Sequence, residues 1–464
     1  MDSRALNTVW WSIRSLSGAP GDCLGELVPQ FSEWEAQQGG ITADSAPHNT
    51  TATSADAAPT THCSRVGTAV QALCQGPLLA ENKREASTDA GLKRGSAALV
   101  TKPATAPAVA LETEDAEGVG SKASTTLWTQ LDAIRQAWRR GDAAELSRIS
   151  AVDRGLLEQL AWSGVPGAQR ALAWKLLLDY CPPQPSRLLR SVSRKRDQYW
   201  QAVAELGLVT DPRLGNRLSS EDWARKRQID LDVPRTAPEF PLFHTGAVQQ
   251  AMTRILHLWS VRHPAAGYVQ GLNDILVPLL YVFYADQAPE FSQLDRTTLP
   301  EDAEPLLREV EADTYWCLST LLEALQDQYV FGQPGIQRRV ALLERIMQRI
   351  DASLCAHLAK EQVTFMQFAF RWMNCLLVRE FPLPITLRLW DAYLSERGTF
   401  AAFHVYVCAA LLERFSLDLV RLTFPDLVLF LQNLPTRSWT EQDLSTLLSR
   451  AYMFKAIFED ARRL

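Results

Sequence analysis

Apolar residues recur every three or four positions along the chain from Thr125 onward. Leu127, Leu131, Ile134 and Trp138 form one such face; Val248, Met252, Ile255, Leu256 and Trp259 form a second. Phe365, Phe368, Trp372 and Leu376 repeat the pattern, as do Leu387, Trp390 and Leu394. This period belongs to amphipathic helices, whose i, i+3 and i+4 side chains share one face. Pro166, Pro182-Pro183, Pro264, Pro334-Gly335, Pro382 and Pro384 punctuate the runs. No alternating apolar and polar strand of useful length interrupts them. The pattern predicts an all-α domain over residues 126–464, built as two packed helical lobes.

The chain before that domain reads differently. Leu6, Val9, Trp10, Ile13 and Leu16 fall on one helical face, with Ser3 as N-cap and Gly18 and Pro20 as stops, so residues 1–18 are a candidate short amphipathic helix. Its weakly charged polar face suits a membrane interface, and Trp11 on that face argues against one. Docking onto a partner or onto the chain's own domain, and an unstructured terminus, stay open beside it. Residues 19–125, rich in Ala, Thr, Ser, Gly and Pro, lack the apolar content to offset the entropy of ordering. They are expected to be a largely disordered linker.

Charge and cysteine usage narrow the class. The formal net charge of −6 lies mostly in the N-terminal region, leaving the helical domain nearly neutral and giving no support for nucleic-acid binding. The 8 cysteines form no CxxC pair, which suits reduced thiols in the cytosol; Cys375 and Cys408 sit in apolar runs as small core residues. No stretch reaches the roughly 18 apolar residues that span a bilayer, and the longest, Ile275 to Tyr284, reads as a buried helix. Early acidic residues at Asp2, Asp22, Glu26 and Glu33 disfavour a mitochondrial presequence. A basic run (Arg187, Arg190, Arg194, Lys195, Arg196, then Arg225, Lys226, Arg227) and an acidic one over residues 286–313 read as solvated helix faces and a surface loop. The basic run would also suit an acidic partner or anionic lipid.

Phosphate loops, dinucleotide fingerprints, HExxH, GxSxG and zinc-spaced Cys/His sets are all missing from the sequence. His357 and His404 read as structural, and His263 before Pro264 as a helix end. Two segments remain. Ile229-Asp-Leu-Asp-Val-Pro-Arg235-Thr236 places an arginine directly after a proline, so Arg235 leaves from a stiff loop. Tyr268-Val-Gln270-Gly-Leu-Asn-Asp274 places a glutamine ahead of a long apolar helix. An arginine and a glutamine complete another protein's active site more readily than they build one. Taken singly, Arg235 reads as a salt-bridge partner of Asp232 or Asp230, and Gln270 as a loop residue.

From about Leu160 to its end the chain resembles the TBC domain of Rab GTPase-activating proteins. Ile229, Asp232 and Arg235 match that family's IxxDxxR arginine-finger motif, and Tyr268 and Gln270 its YxQ glutamine-finger motif. Gly164, Val165, Pro166, Arg170 and Trp174 match a third motif; Arg379-Glu380-Phe381 with Leu389-Trp390-Asp391 matches a fourth. The stretches Arg262 to Ile275, Gln333 to Gln337 and Arg349 to Ser353 look like the Golgi-associated subgroup. The resemblance implies a two-lobed helical TBC domain that speeds GTP hydrolysis on a GTP-bound Rab, with no self-contained catalysis. Arg235 and Gln270 would be the catalytic pair. Asp232 would hold the arginine or its loop, Tyr268 and Asn273 would brace the second finger, and Asp274 would cap or pin the following helix. Arg170, Trp174, Trp372, Trp390 and Asp391 would serve the fold. No cofactor of its own is implied, since GTP and Mg²⁺ would arrive with the Rab. The expected location is cytoplasmic, peripheral at Golgi or other endomembranes, with an adaptor or membrane surface as a candidate partner of the N-terminal region. A TBC scaffold that binds a Rab with little catalysis is the competing reading.

Overall fold

The structure, a computed structural model, describes residues 114–207, 220–287, 304–396 and 398–460. The candidate helix at 1–18 lies outside them, as does most of the segment read as linker. Every regular element among the described residues is helical. The principal ones are α1 (Glu114–Arg139), α2 (Arg154–Trp162), α3 (Gly167–Leu177), α4 (Leu188–Glu205), α5 (Ser220–Asp232), α6 (Gly246–Arg262), α7 (Leu272–Gln287), α8 (Glu304–Glu323), α9 (Pro334–Ile350), α10 (Phe365–Cys375), α11 (Leu383–Ser395), α12 (Phe400–Arg414) and α13 (Glu441–Asp460). Helix α1 begins at Glu114, ahead of the apolar repeat that starts at Leu127. Leu127, Leu131 and Ile134 are buried and supply its nucleus.

Helices α4, α5, α6 and α8 pack together as one lobe, and α9, α10, α12 and α13 as another. The long apolar helix α7 joins them, touching α6 and α8 on one side and α10 and α11 on the other. Its residues Leu272 to Leu280 are all buried, as the run from Ile275 to Tyr284 predicted. That position puts the start of α7, where the glutamine motif ends, at the seam between the lobes.

Buried polar ties fix the seam. Asp391 on α11 accepts from Trp174 Nε1 at 2.7 Å, Arg170 Nε at 3.1 Å and the Val165 amide at 3.0 Å. Those three donors come from the third family-like motif, so Arg170, Trp174 and Asp391 do serve the fold. Gly164 has φ +113°, and a Cβ there would lie 2.8 Å from Arg388 Nε, so only glycine lets this turn close on α11. Trp372 and Trp390 are buried in the core.

Two charge readings need correction. The last part of the acidic run does not stay on the surface: Glu311 and Asp313 lie inside α8 and are buried against Arg254, Tyr199, Lys175 and Arg196. Their partners lie far away in sequence, so composition alone reads these carboxylates as solvated. The basic run is also partly consumed. Arg196 pairs with Asp313 and Glu309, Lys195 donates to the carbonyls of Asp179 and Tyr180, Arg225 pairs with Glu221 and Asp222, and Lys226 with Asp230. Arg187, Arg190, Arg194 and Arg227 remain exposed.

The histidines behave as structural groups. His263 caps the C-terminal end of α6, and its Nδ1 lies 2.8 Å from the Trp259 carbonyl. His357 Nε2 is 2.8 Å from the Leu422 carbonyl. His404 is fully buried, with Nδ1 2.7 Å from the Tyr393 hydroxyl and Nε2 3.1 Å from the Trp372 carbonyl. That arrangement fits a neutral ring donating from Nε2 and accepting at Nδ1. Burial pushes its pKa down to about 3 from the usual 6.5. The unfolded chain therefore takes up a proton below pH 6.5 that the folded chain refuses, and stability falls as pH falls. The slope from this group approaches about 1.4 kcal/mol per pH unit only well below pH 6.5, and amounts to about 1.4 kcal/mol in all between pH 7.5 and 5.5. Urea unfolding between pH 7.5 and 5.5 should show that slope flattened in His404→Gln; equal slopes in both proteins would remove His404 as the cause.

Candidate functional site

The arginine segment is more helical than its proline suggested. Residues Ile229 to Asp232 form the last turn of α5, and Val233–Arg235 continue as a single 3₁₀ turn. Acidic Glu221 and Asp222 in the first turn and the Lys226–Asp230 ion pair at i,i+4 support α5, and Pro234 sits where its missing N–H costs nothing. Arg235 therefore emerges from a helix end. Its Nε donates to the Leu231 carbonyl at 2.8 Å and its Nη2 to Asp232 Oδ1 at 2.7 Å. The side chain stays 47% exposed while that of Asp232 is 2% exposed.

Asp232 is the hub of the site. Besides Arg235, its carboxylate accepts from Tyr268 Oη at 2.9 Å and Gln228 Nε2 at 3.2 Å. Burial raises its pKa, opposed by the hydrogen bonds from Gln228 and Tyr268 and by the Arg235 charge. Asp232 thus binds Arg235 directly and reaches the second segment through Tyr268. Burial, together with the Asp232 charge, lifts the Tyr268 phenol well above its usual range, so it remains a donor.

The second segment runs from the end of α6 through Gly267 to the start of α7. Asn273 braces it twice: Oδ1 accepts from the Gly271 amide at 3.0 Å, and Nδ2 donates to Thr236 Oγ1 at 3.0 Å. Thr236 in turn donates to the Asp232 carbonyl at 3.0 Å. Both segments thus form one hydrogen-bonded unit spanning α5 and α7. Gln270 is half-buried, and no hydrogen bond to its side-chain amide is seen among the described residues.

Asp274 pins its helix. Its Oδ2 lies 3.0 Å from Arg379 Nη2 and 3.6 Å from Cys375 Sγ, so the start of α7 is tied to the segment after α10. Arg379 belongs to the fourth motif. Its neighbour Glu380 binds Arg371 through two bonds of 2.7 and 2.6 Å. Sequence reasoning missed Thr236 and Asn374. The first adjoins the arginine motif and was readable as a hydroxyl after the finger; the second sits about a hundred residues from Gln270 with no motif of its own. Among the described residues, no group of His, Cys, Asp and Glu is placed to hold a metal ion, and no helix is long and apolar enough to cross a membrane.

The two segments thus present a half-exposed arginine and a half-buried glutamine whose side-chain amide has no hydrogen bond among the described residues, both braced by buried groups. The profile of the Rab-GTPase-TBC domain family matches residues 168–420, and the chain belongs to that family. It is 41% identical over 345 residues to human TBC1 domain family member 22A, covering 74% of this chain and 65% of that one. It is 42% identical over 320 residues to the GTPase-activating protein gyp1 of Schizosaccharomyces pombe, covering 67% of this chain and 59% of that one. The crystal structure of the Ypt/Rab-GAP domain of Gyp1p superposes with a TM-score of 0.63 at 41% identity, covering 68% of this chain and 96% of that domain. The chain thus spans about two thirds of the length of the curated relatives it matches.

Proposed function

We propose that this chain is a GTPase-activating protein for a Rab-family GTPase, supplying Arg235 and Gln270 in trans. The observation that carries the reading is the shared anchor: Asp232 binds Arg235 directly and the Gln270 segment through Tyr268. Two groups that would flank one phosphate are thereby held as one unit.

Phosphoryl transfer to water leaves little covalent work for a protein, so catalysis is positioning and stabilisation of developing charge. The planar guanidinium of Arg235 is suited to two phosphate oxygens at once. Leaving Asp232 for a phosphate does not strand that carboxylate, because Gln228 and Tyr268 still donate to it. Gln270 would orient the attacking water with its free amide. GTP and Mg²⁺ belong to the Rab, and the chain brings no cofactor. Golgi placement and a role in vesicle transport follow the subgroup resemblance, and residues 1–125 are the candidate contact for an adaptor or membrane.

Single-turnover GTP hydrolysis across a Rab panel tests the proposal. One or a few Rabs should be accelerated, and Gln270→Ala should lower the accelerated rate on the order of 10²-fold, as for loss of one preorganised polar group. Binding of GTP-loaded Rab with no acceleration by the wild type would instead make the protein a scaffold.

A further inference from the structure

Gln270 can be aimed only through its backbone, because its side-chain amide has no hydrogen bond among the described residues. The peptide that follows it is held at both poles. The Gln270 carbonyl accepts from Asn374 Nδ2 at 2.8 Å, and the Gly271 amide donates to Asn273 Oδ1 at 3.0 Å. A peptide unit is planar, so fixing its C=O and N–H fixes its orientation relative to the Gln270 Cα. Asn273 belongs to α7 and Asn374 to the last turn of α10, so the clamp closes between two helices that meet at the lobe seam.

The fit around Asn374 is close. Gly271 has φ +108°, and a Cβ there would lie 2.3 Å from Asn374 Nδ2 and 3.1 Å from Cys375 Sγ. Asn374 is buried, and its own carbonyl accepts from Tyr329 Oη at 3.1 Å. Leu376 and Leu377 after it both take left-handed backbone, φ 52° and 61°, which side chains disfavour and which their burial maintains. Its Oδ1 finds no partner among the described residues. The amide orientation is nonetheless fixed, since Oδ1 facing the Gln270 carbonyl would set acceptor against acceptor.

We propose that Asn374 is the positioning residue of the glutamine finger, holding the Gln270–Gly271 peptide so that the Gln270 side chain meets the attacking water. This rests on the GTPase-activating reading given above. Asn374→Leu removes the donor at similar volume, and Asn374→Asp removes it at the same shape.

Two measurements decide it. The first, hydrogen exchange in the free full-length protein, needs no Rab. Either variant should raise exchange across 268–272 on the order of tenfold, as expected for one lost hydrogen bond, with 233–236 unchanged. The second is single-turnover hydrolysis on a responsive Rab. Each variant should lower the maximal rate about as far as Gln270→Ala, with the half-saturating concentration unchanged. The double variant Asn374→Leu/Gln270→Ala should be no slower than Gln270→Ala alone. Unchanged exchange at 268–272, or exchange raised equally at 233–236, overturns the proposal. So does a further loss of rate in the double variant, since that assigns Asn374 a separate, structural effect. If Gln270→Ala itself leaves the rate intact, the finger role of Gln270 fails, and the exchange result alone still decides whether Asn374 holds the peptide.

Discussion

Arg235→Ala should lower the accelerated single-turnover rate by 10³-fold or more, the range measured for an arginine supplied in trans to a GTPase. That factor corresponds to about 4 kcal/mol of barrier. Arg235→Lys should recover little of it, because an ammonium cannot reproduce the planar two-point contact. Stability should hardly change. The Arg235 side chain is 47% exposed, so its end of the ion pair with the buried Asp232 is screened by solvent, which limits what the pair contributes. Asp232 keeps its bonds from Tyr268 and Gln228, so its buried carboxylate still has donors once Arg235 is gone. Asp232→Ala should behave differently, loosening both segments together and lowering stability as well as rate. Full acceleration by Arg235→Ala, measured on a Rab that wild type activates, would end the arginine-finger reading.

The two segments carrying this prediction were legible in sequence because each is short and contiguous. The helical class was legible because a period of three to four residues needs only local information. Groups that hold the segments together were less so. Tyr268 reaches Asp232 across 36 positions, and Asn374 reaches Gln270 across 104. Hydrogen bonds of that span leave no periodic trace. The buried carboxylates were misread for the same reason: Glu311 lies 57 positions from Arg254, and Asp313 lies 138 from Lys175. A charged residue in an acidic run looks solvated until the fold brings its counterion. Asp274 was read as capping or pinning its helix because it lies at the helix start, and only the fold could show Arg379 facing it.

Asp313→Ala should be among the most destabilising single changes in the domain, costing on the order of 3–5 kcal/mol, as for removal of one partner from a buried ion pair. Its carboxylate accepts from Lys175 Nζ at 2.7 Å, from Arg196 Nε and Nη2 at 2.7 and 2.8 Å, and from the Tyr180 hydroxyl. Lys175 and Asp313 are each only 1% exposed. The Lys175 ammonium otherwise faces the rings of Phe283 at 4.6 Å and Trp138 at 5.1 Å, which cannot replace a carboxylate. Burial alone would raise the Asp313 pKa, but Lys175 and Arg196 outweigh it and hold it below 3.8. Burial alone would likewise lower Lys175, but Asp313 outweighs it and the pKa lies above 10.5. A lowered carboxylate contributes stability that is present above about pH 3.8 and lost as pH falls through the folded value. A raised lysine contributes stability present below 10.5 and lost as pH rises through its folded value. In wild type both groups are charged across the neutral range, but Asp313→Ala leaves Lys175 to burial and the Arg196 charge, which lower its pKa, so the cost of the substitution should shrink as pH rises from 6 to 9. Urea unfolding of Asp313→Ala, Lys175→Met and the double variant apportions the pair, and the double should be less destabilised than Asp313→Ala because no ammonium is stranded. Arg196 retains Glu309 throughout. The same helix α8 carries Glu311, which binds Arg254 on α6, and α6 leads directly into the segment of Gln270. A loss below 1 kcal/mol in Asp313→Ala would mean that apolar packing alone sets α8 against α3, α4 and α6, and that the polar ladder beneath the site is dispensable.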